Sequence, residues 1–198
     1  MKKVVLPVIV LLIAGVAVYF LFWNQEEKPQ TAAETLQPLS IEERSNVFNN
    51  SYNQLLAAYV AVKDGLVKSD TAAAAAAARQ LATAADSLKV SEIRADEMIQ
   101  KTAKDFAATI TTSAQAIASE GDLNAKRKEF EIIADAMWSL TRTVKYDGQK
   151  LYWHYCPMAF NNRGAYWMST SAEVLNPYFG DAMLHCGSVE DSLDYSNK

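Results

Sequence analysis

An all-α fold is predicted: an antiparallel up-down four-helix bundle, with an irregular C-terminal segment packed on it and one N-terminal transmembrane helix ahead of it. Three observations carry this expectation. Four stretches between residues 40 and 148 repeat apolar residues at steps of three and four. The composition, with 7 glycines and 5 prolines in 198 residues and 50% hydrophobic residues, is that of a helix-leaning globular chain and not of a disordered, collagenous or disulfide-dense one. The first residues form an apolar run from Val4 to Trp23.

That run holds 20 residues, which at about 1.5 Å each span roughly 30 Å, the thickness of a bilayer's hydrocarbon core. A cleaved secretory signal is the competing reading, but its apolar region is usually shorter and no Ala-x-Ala site follows. No cysteine nearby offers itself to a lipid. Lys2 and Lys3 flank one end and Asn24-Gln25-Glu26-Glu27 the other, so the positive-inside rule keeps the N-terminus in the cytoplasm. The expected location is an inner membrane crossed once, residues 1–25 being the anchor, with the rest in the periplasm of a bacterial cell. Tyr19, Phe22 and Trp23 sit where an aromatic belt meets the outer interface. Residues 26–38 are polar, carry two prolines and show no apolar period, which reads as a tether. Residues 39–198 are left for one domain with one core.

Ser40-Ile41-Glu42-Glu43 matches a capping box, and after it Ile41, Phe48, Tyr52, Leu55, Tyr59, Val62 and Leu66 form one apolar seam on a first helix. Ser69-Asp70 caps a second helix, whose Ala72–Ala78 run has the highest helix propensity available and whose seam continues through Leu81, Ala85 and Leu88. Ser91 opens a third, carrying Ile99, Ala103, Phe106, Ile110, Ser113 and Ile117 and stopped at Glu120-Gly121-Asp122. The fourth runs from about Asn124 through Phe130, Ile133, Met137, Leu140 and Val144 and ends at Asp147-Gly148. Short polar connections favour antiparallel neighbours.

Charge and spacing exclude several functions. With 19 Lys+Arg against 23 Asp+Glu the net charge is −4, which offers no basic face for nucleic acid. Two cysteines are too few for a four-thiolate zinc or iron–sulfur site. Neither His154 nor His185 has a Glu three residues before it, so the di-iron carboxylate pattern is absent, as is Cys-x-x-Cys-His for haem. Methionines and aromatics in the helical seams read as core packing.

The chemistry gathers after Lys150. Leu151-Tyr152-Trp153-His154-Tyr155-Cys156-Pro157-Met158-Ala159-Phe160 loses helical period, and Asn176-Pro177-Tyr178-Phe179-Gly180 is a turn by composition, followed by Met183-Leu184-His185-Cys186-Gly187. An extended run would put His154, Cys156 and Met158 on one face. Met183 and Cys186, three apart, share a face of a helical turn. Two thiolates and two thioethers, with His154 and His185 as additional candidate ligands, make a soft donor set suited to Cu(I) and ill suited to Mg²⁺ or Ca²⁺. The same two cysteines, thirty residues apart in an exported chain, equally suit a disulfide that staples this segment to the bundle. A nucleophilic cysteine enzyme is the third class; no catalytic signature surrounds either cysteine, and each would tend to capture the other. No catalytic residue is assigned.

Tyr155-Cys156-Pro157-Met158-Ala159-Phe160, Gly164-Ala165-Tyr166-Trp167-Met168-Ser169, Glu173-Val174 with Asn176-Pro177-Tyr178-Phe179-Gly180, and Met183-Leu184-x-Cys186-Gly187 resemble the domain of unknown function 3347 family. That family comprises exported bacterial domains, free-standing or fused to periplasmic adaptor subunits of copper and silver efflux pumps. The resemblance implies heavy-metal handling, with efflux components or another periplasmic protein as partners. It carries over to Cys156, Met158, Met183 and Cys186, and not to His154 or His185. It also implies that Asn176–Phe179 form the turn returning Met183 and Cys186 towards Cys156. The expectation is a non-enzymatic, membrane-anchored soft-metal binding or transfer module; the alternative is a structural or protein-interaction bundle stapled by Cys156 and Cys186.

Overall fold

The computed structural model describes residues 41–196. The apolar run at 4–23, the tether at 26–38 and Ser40 lie outside the described residues. Among the described residues no helix is long and apolar enough to cross a membrane.

Four long helices form a bundle. The first, α1 (Asn46–Val67), starts where the Ser45 hydroxyl accepts from the Phe48 amide at 3.1 Å. Its seam of Phe48, Tyr52, Leu55, Tyr59, Val62 and Leu66 is fully buried. Asp70 caps α2 (Thr71–Asp86) by accepting from the Ala73 amide at 2.8 Å. Gly65 lets the two helices approach closely at Ala74, for a Cβ added to Gly65 would sit 2.8 Å from the Ala74 backbone nitrogen. The third helix, α3 (Glu97–Ser119), buries Ile99, Ala103, Ile110, Ser113 and Ile117, with Phe106 half-buried against the same core. Asp122 caps α4 (Leu123–Val144), accepting from the Ala125 amide at 2.7 Å. Phe130, Ile133, Met137, Leu140 and Val144 are buried along it.

Each helix packs along the next in sequence, whereas α1 and α4 stand farther apart. Large side chains span the gap. The Tyr59 and Phe130 rings stack with centroids 5.3 Å apart, and the Tyr52 hydroxyl is hydrogen-bonded to that of Thr141.

The start of the bundle departs from the expected one. Ile41–Arg44 is a strand, β1, paired antiparallel with β2 (Ile93–Ala95). The capping box at Ser40–Glu43 and the place of Ile41 in the helical seam are therefore wrong, and the cap is Ser45. A step of seven from Ile41 to Phe48 satisfies a helical period without requiring a helix, and Ile41 instead pairs with Ala95. Ser91 likewise opens no helix. It lies in a 3₁₀ turn, Val90–Glu92, that leads into β2, and α3 begins after Asp96.

The C-terminal segment is not irregular, so the all-α description is corrected to a helical bundle bearing a small sheet. Strands β3 (Leu151–Cys156), β4 (Ala165–Ser169) and β5 (Ser188–Leu193) form an antiparallel sheet in the order β4-β3-β5. β3 and β4 are rich in aromatics, which favour a pleated, buried surface, whereas β5 is a polar, exposed edge. The strict alternation that marks a half-exposed strand is missing because Trp153, His154 and Cys156 are buried on a strand packed on both faces. Trp153 stacks on Trp138 of α4 at 4.8 Å. Tyr59 of α1 ties down the far strand, its hydroxyl accepting from the Met168 amide at 2.9 Å and donating to the Met168 carbonyl at 3.1 Å.

Candidate functional site

Cys156 is the last residue of the central strand and is completely buried. The chain then turns through Pro157 and Met158 and passes Phe160, Asn161 and Asn162 with φ of 50°, 60° and 65°, all left-handed. Asparagine tolerates that region; phenylalanine pays for it. Two contacts hold the turn. The Arg163 guanidinium binds both carboxylate oxygens of Glu131 on α4, at 2.8 and 2.6 Å, and lies over the Phe160 ring at 5.1 Å. Gly164, at φ +82°, carries the chain beneath Tyr155, where an added Cβ would fall 2.1 Å from the phenol oxygen. Met158 therefore leaves the strand. Sharing a strand face with His154 and Cys156 is an expectation the fold does not meet, because β3 ends at Cys156.

The return path depends on Asn176, which is fully buried. Its amide Nδ2 donates to the Cys186 carbonyl at 2.8 Å, its backbone nitrogen donates to the Leu184 carbonyl at 2.8 Å, and its side-chain oxygen accepts from the Tyr178 amide at 2.8 Å. The Asn176 carbonyl accepts from the Gly180 amide at 3.1 Å. One side chain thus fixes the Asn-Pro-Tyr-Phe turn and the stretch carrying Met183 and Cys186. Between these two, the Cys186 amide donates to the Met183 carbonyl at 3.1 Å, closing a single turn. Arg127 of α4 holds the same loop from outside by donating through Nε to the Pro177 carbonyl at 2.9 Å. The sequence places Asn176 in the expected returning turn without marking it as the residue that holds Cys186, and it does not set Arg127 apart.

These elements bring Cys186 Sγ to 2.6 Å from Cys156 Sγ. Cys186 is half-buried, and its thiol is pushed up to about 11, first by burial, then by the neighbouring Cys156. The Met158 backbone amide faces the Cys186 sulfur and works in the opposite direction. Met158 is 47% exposed, and it lines one open groove together with Met183. The two thiols thus meet each other and the two thioethers line one groove, whose lining includes neither cysteine.

The histidines do not join them as a set. His154 is buried, stacks on Trp167 with centroids 5.1 Å apart, and engages the Ser171 carbonyl through Nε2 at 3.0 Å, leaving Nδ1 without a partner. Burial holds its pKa below the usual histidine value. His185 is exposed, its Nδ1 on the Val174 carbonyl at 2.9 Å. Among the described residues there is no cluster of three or more His, Cys, Asp or Glu side chains placed to hold a metal, so any soft-metal site here rests on the paired sulfurs.

Residues 55–148 match the family model described as Protein of unknown function (DUF3347). The match covers the larger part of α1, all of α2 and α3, and α4 to just beyond its end; the Cys/Met segment after residue 150 lies outside it. No curated protein matches the chain. No solved structure matches it.

Proposed function

We propose that this chain, which carries a DUF3347 domain over residues 55–148, is a non-enzymatic soft-metal binding or transfer module, with copper in the Cu(I) state as its cargo. In this reading residues 1–25 anchor it in an inner membrane, the up-down bundle stands in the periplasm, and efflux components receive the metal. The observation that carries the reading is the meeting of Cys156 and Cys186 at 2.6 Å, beside a groove lined by Met158 and Met183. Four sulfur donors of this kind select soft ions.

The geometry sets a condition. Thiolates hold a zinc-type ion at about 2.3 Å each, so two sulfurs sharing one ion must stand farther apart than 2.6 Å. Cys156 is fixed in a strand, so Cys186, on its half-buried loop, is the residue that swings out. Both thiols must also lose their protons on binding, and the raised Cys186 thiol makes binding strengthen with pH. That raised thiol argues against nucleophilic catalysis, which needs a thiolate at neutral pH.

A second reading rests on the same distance. Sulfurs this close in an exported chain suit a disulfide, which would staple the C-terminal sheet without any metal.

The test is a titration of the reduced full-length protein with Cu(I) against a chromophoric chelator, without oxygen. Stoichiometric binding that is lost in Cys156→Ser and in the double variant Met158→Leu/Met183→Leu is the expected result. Equal binding by the double methionine variant would remove the thioethers from the site. Absence of binding by the wild type, together with alkylation that adds nothing before reduction and two groups after it, would make the staple the function of the pair.

A further inference from the structure

The groove that Met158 and Met183 line has a second wall with its own chemistry. It is about 640 Å³ in volume, within the roughly 300–1,000 Å³ usual for small-ligand sites. Met158, Phe160 and Phe179 give it apolar lining, Asn161 and Asn162 line it as well, and Asn124, Arg127 and Lys128 come from the first turns of α4. No acidic residue lines it.

Arg127 is the unusual member. Its side chain is 8% exposed, yet no carboxylate contacts it among the described residues. Its Nε and one Nη nitrogen are spent on neutral oxygens: the Pro177 carbonyl at 2.9 Å, the Ser69 hydroxyl at 3.1 Å and the Leu66 carbonyl at 3.5 Å. The other terminal nitrogen, Nη1, has no hydrogen-bond partner among the described residues and is not one of their sealed, unpartnered atoms. A buried guanidinium without a counter-charge carries a desolvation cost with no Coulombic attraction to set against it. That cost is visible in its pKa, lowered by burial with no charged neighbour to offset it. The tie to Pro177 explains an arginine at this place, but neither the free Nη1 nor the exposed Lys128 beside it.

We propose that this groove is a binding site for a small amphipathic carboxylate, whose anionic end pairs with Arg127 Nη1 and Lys128 Nζ and whose apolar body lies on Met158, Phe160 and Phe179. A single negative charge fits one uncompensated buried cation, and a guanidinium matches the planar carboxylate. The amides at the start of α4 add the same sign of field. The site requires no metal, so it stands or falls separately from the soft-metal reading.

The probe is 3-phenylpropionate, compared with its uncharged twin 3-phenylpropanamide, titrated by ligand-observed NMR against the full-length protein in lipid nanodiscs. The carboxylate is expected to bind at least tenfold more tightly than the amide at low ionic strength, with the gap closing in high salt. Lys128→Glu, an exposed position, should erase the gap, while Lys89→Glu, outside the groove, should leave it. Equal affinities for the two probes, no binding of the carboxylate, or a gap indifferent to Lys128→Glu would each overturn the assignment. Because Lys128 is exposed, these results do not depend on the folding of an Arg127 variant.

Discussion

Asn176 donates its side-chain amide to the carbonyl oxygen of Cys186 at 2.8 Å, so a residue ten positions earlier holds the second cysteine against the first. Asn176→Asp keeps the shape and replaces that donor with an oxygen facing an oxygen. Stability of the reduced protein should fall by about 1–3 kcal/mol, the cost of stranding a buried polar group. The exchange of the Cys156–Cys186 dithiol with oxidised glutathione, which yields a protein disulfide and two reduced glutathiones, should become less favourable by about tenfold, as 1.4 kcal/mol implies. Urea unfolding and redox-buffer titration measure the two effects separately; an unchanged exchange constant would show that Asn176 does not position the pair.

Gly187 follows Cys186 at φ +137°, and a Cβ there would lie 2.7 Å from the Tyr155 carbonyl oxygen and 3.0 Å from the Trp167 ring. The Tyr155 oxygen belongs to the backbone of the central strand and cannot swing aside. Gly187→Ala should cost about 1–3 kcal/mol, the scale of forcing a side chain into a strained backbone region. Unfolding by urea checks the magnitude.

Tyr59 meets both backbone polar groups of Met168 through one hydroxyl. Tyr59→Phe retains the stacking on Phe130 but leaves a buried N–H and a buried C=O without that partner. A loss of about 1–3 kcal/mol follows. Faster amide hydrogen exchange in β4 than in α2 would locate the loss at the sheet.

His154 supplies a pH dependence with a defined sign. Burial disfavours the imidazolium, so the folded pKa lies below the ordinary 6.5. The unfolded chain then binds the extra proton first. The contribution of the neutral ring is complete above about 6.5 and is lost as pH falls through the depressed folded value. Chemical denaturation between pH 5 and pH 7.5, on the order of one titration range, should show stability rising with pH, and the slope should flatten in His154→Gln. An equal slope in the variant would assign it to other groups.

The four helices were legible because their signals are local. Phe48 to Leu66 recur at helical spacing, and Asp70 precedes its apolar run as a cap should, whereas Asp122, the cap of α4, reads in the sequence only as part of the stop of the helix before it. The errors fall where a local signal has two readings. Ser40–Glu43 has the letters of a capping box, and Ile41 nevertheless joins β2 across some fifty residues. Strand β3 hid for a related reason: Trp153, His154 and Cys156 are all buried, so alternation, the usual mark of a strand, was erased by packing on both faces. The candidate site was legible as a list, Cys156, Met158, Met183 and Cys186, but not as an arrangement. The left-handed Phe160–Asn162 turn and the Arg163–Glu131 clasp take Met158 off the strand, and His154 is absorbed by Ser171 and Trp167.

The amino-acid sequence by itself determined the helical bundle and the inventory of soft donors, because apolar period and residue chemistry are properties of neighbouring positions. Only the tertiary structure decided that the two sulfurs meet, that Asn176 holds them there, and that Arg127 lies buried without a carboxylate partner among the described residues. The first two are contacts between residues thirty and ten positions apart and the third is a balance of burial against charge, and none of them follows from the apolar period or the chemistry of neighbouring positions.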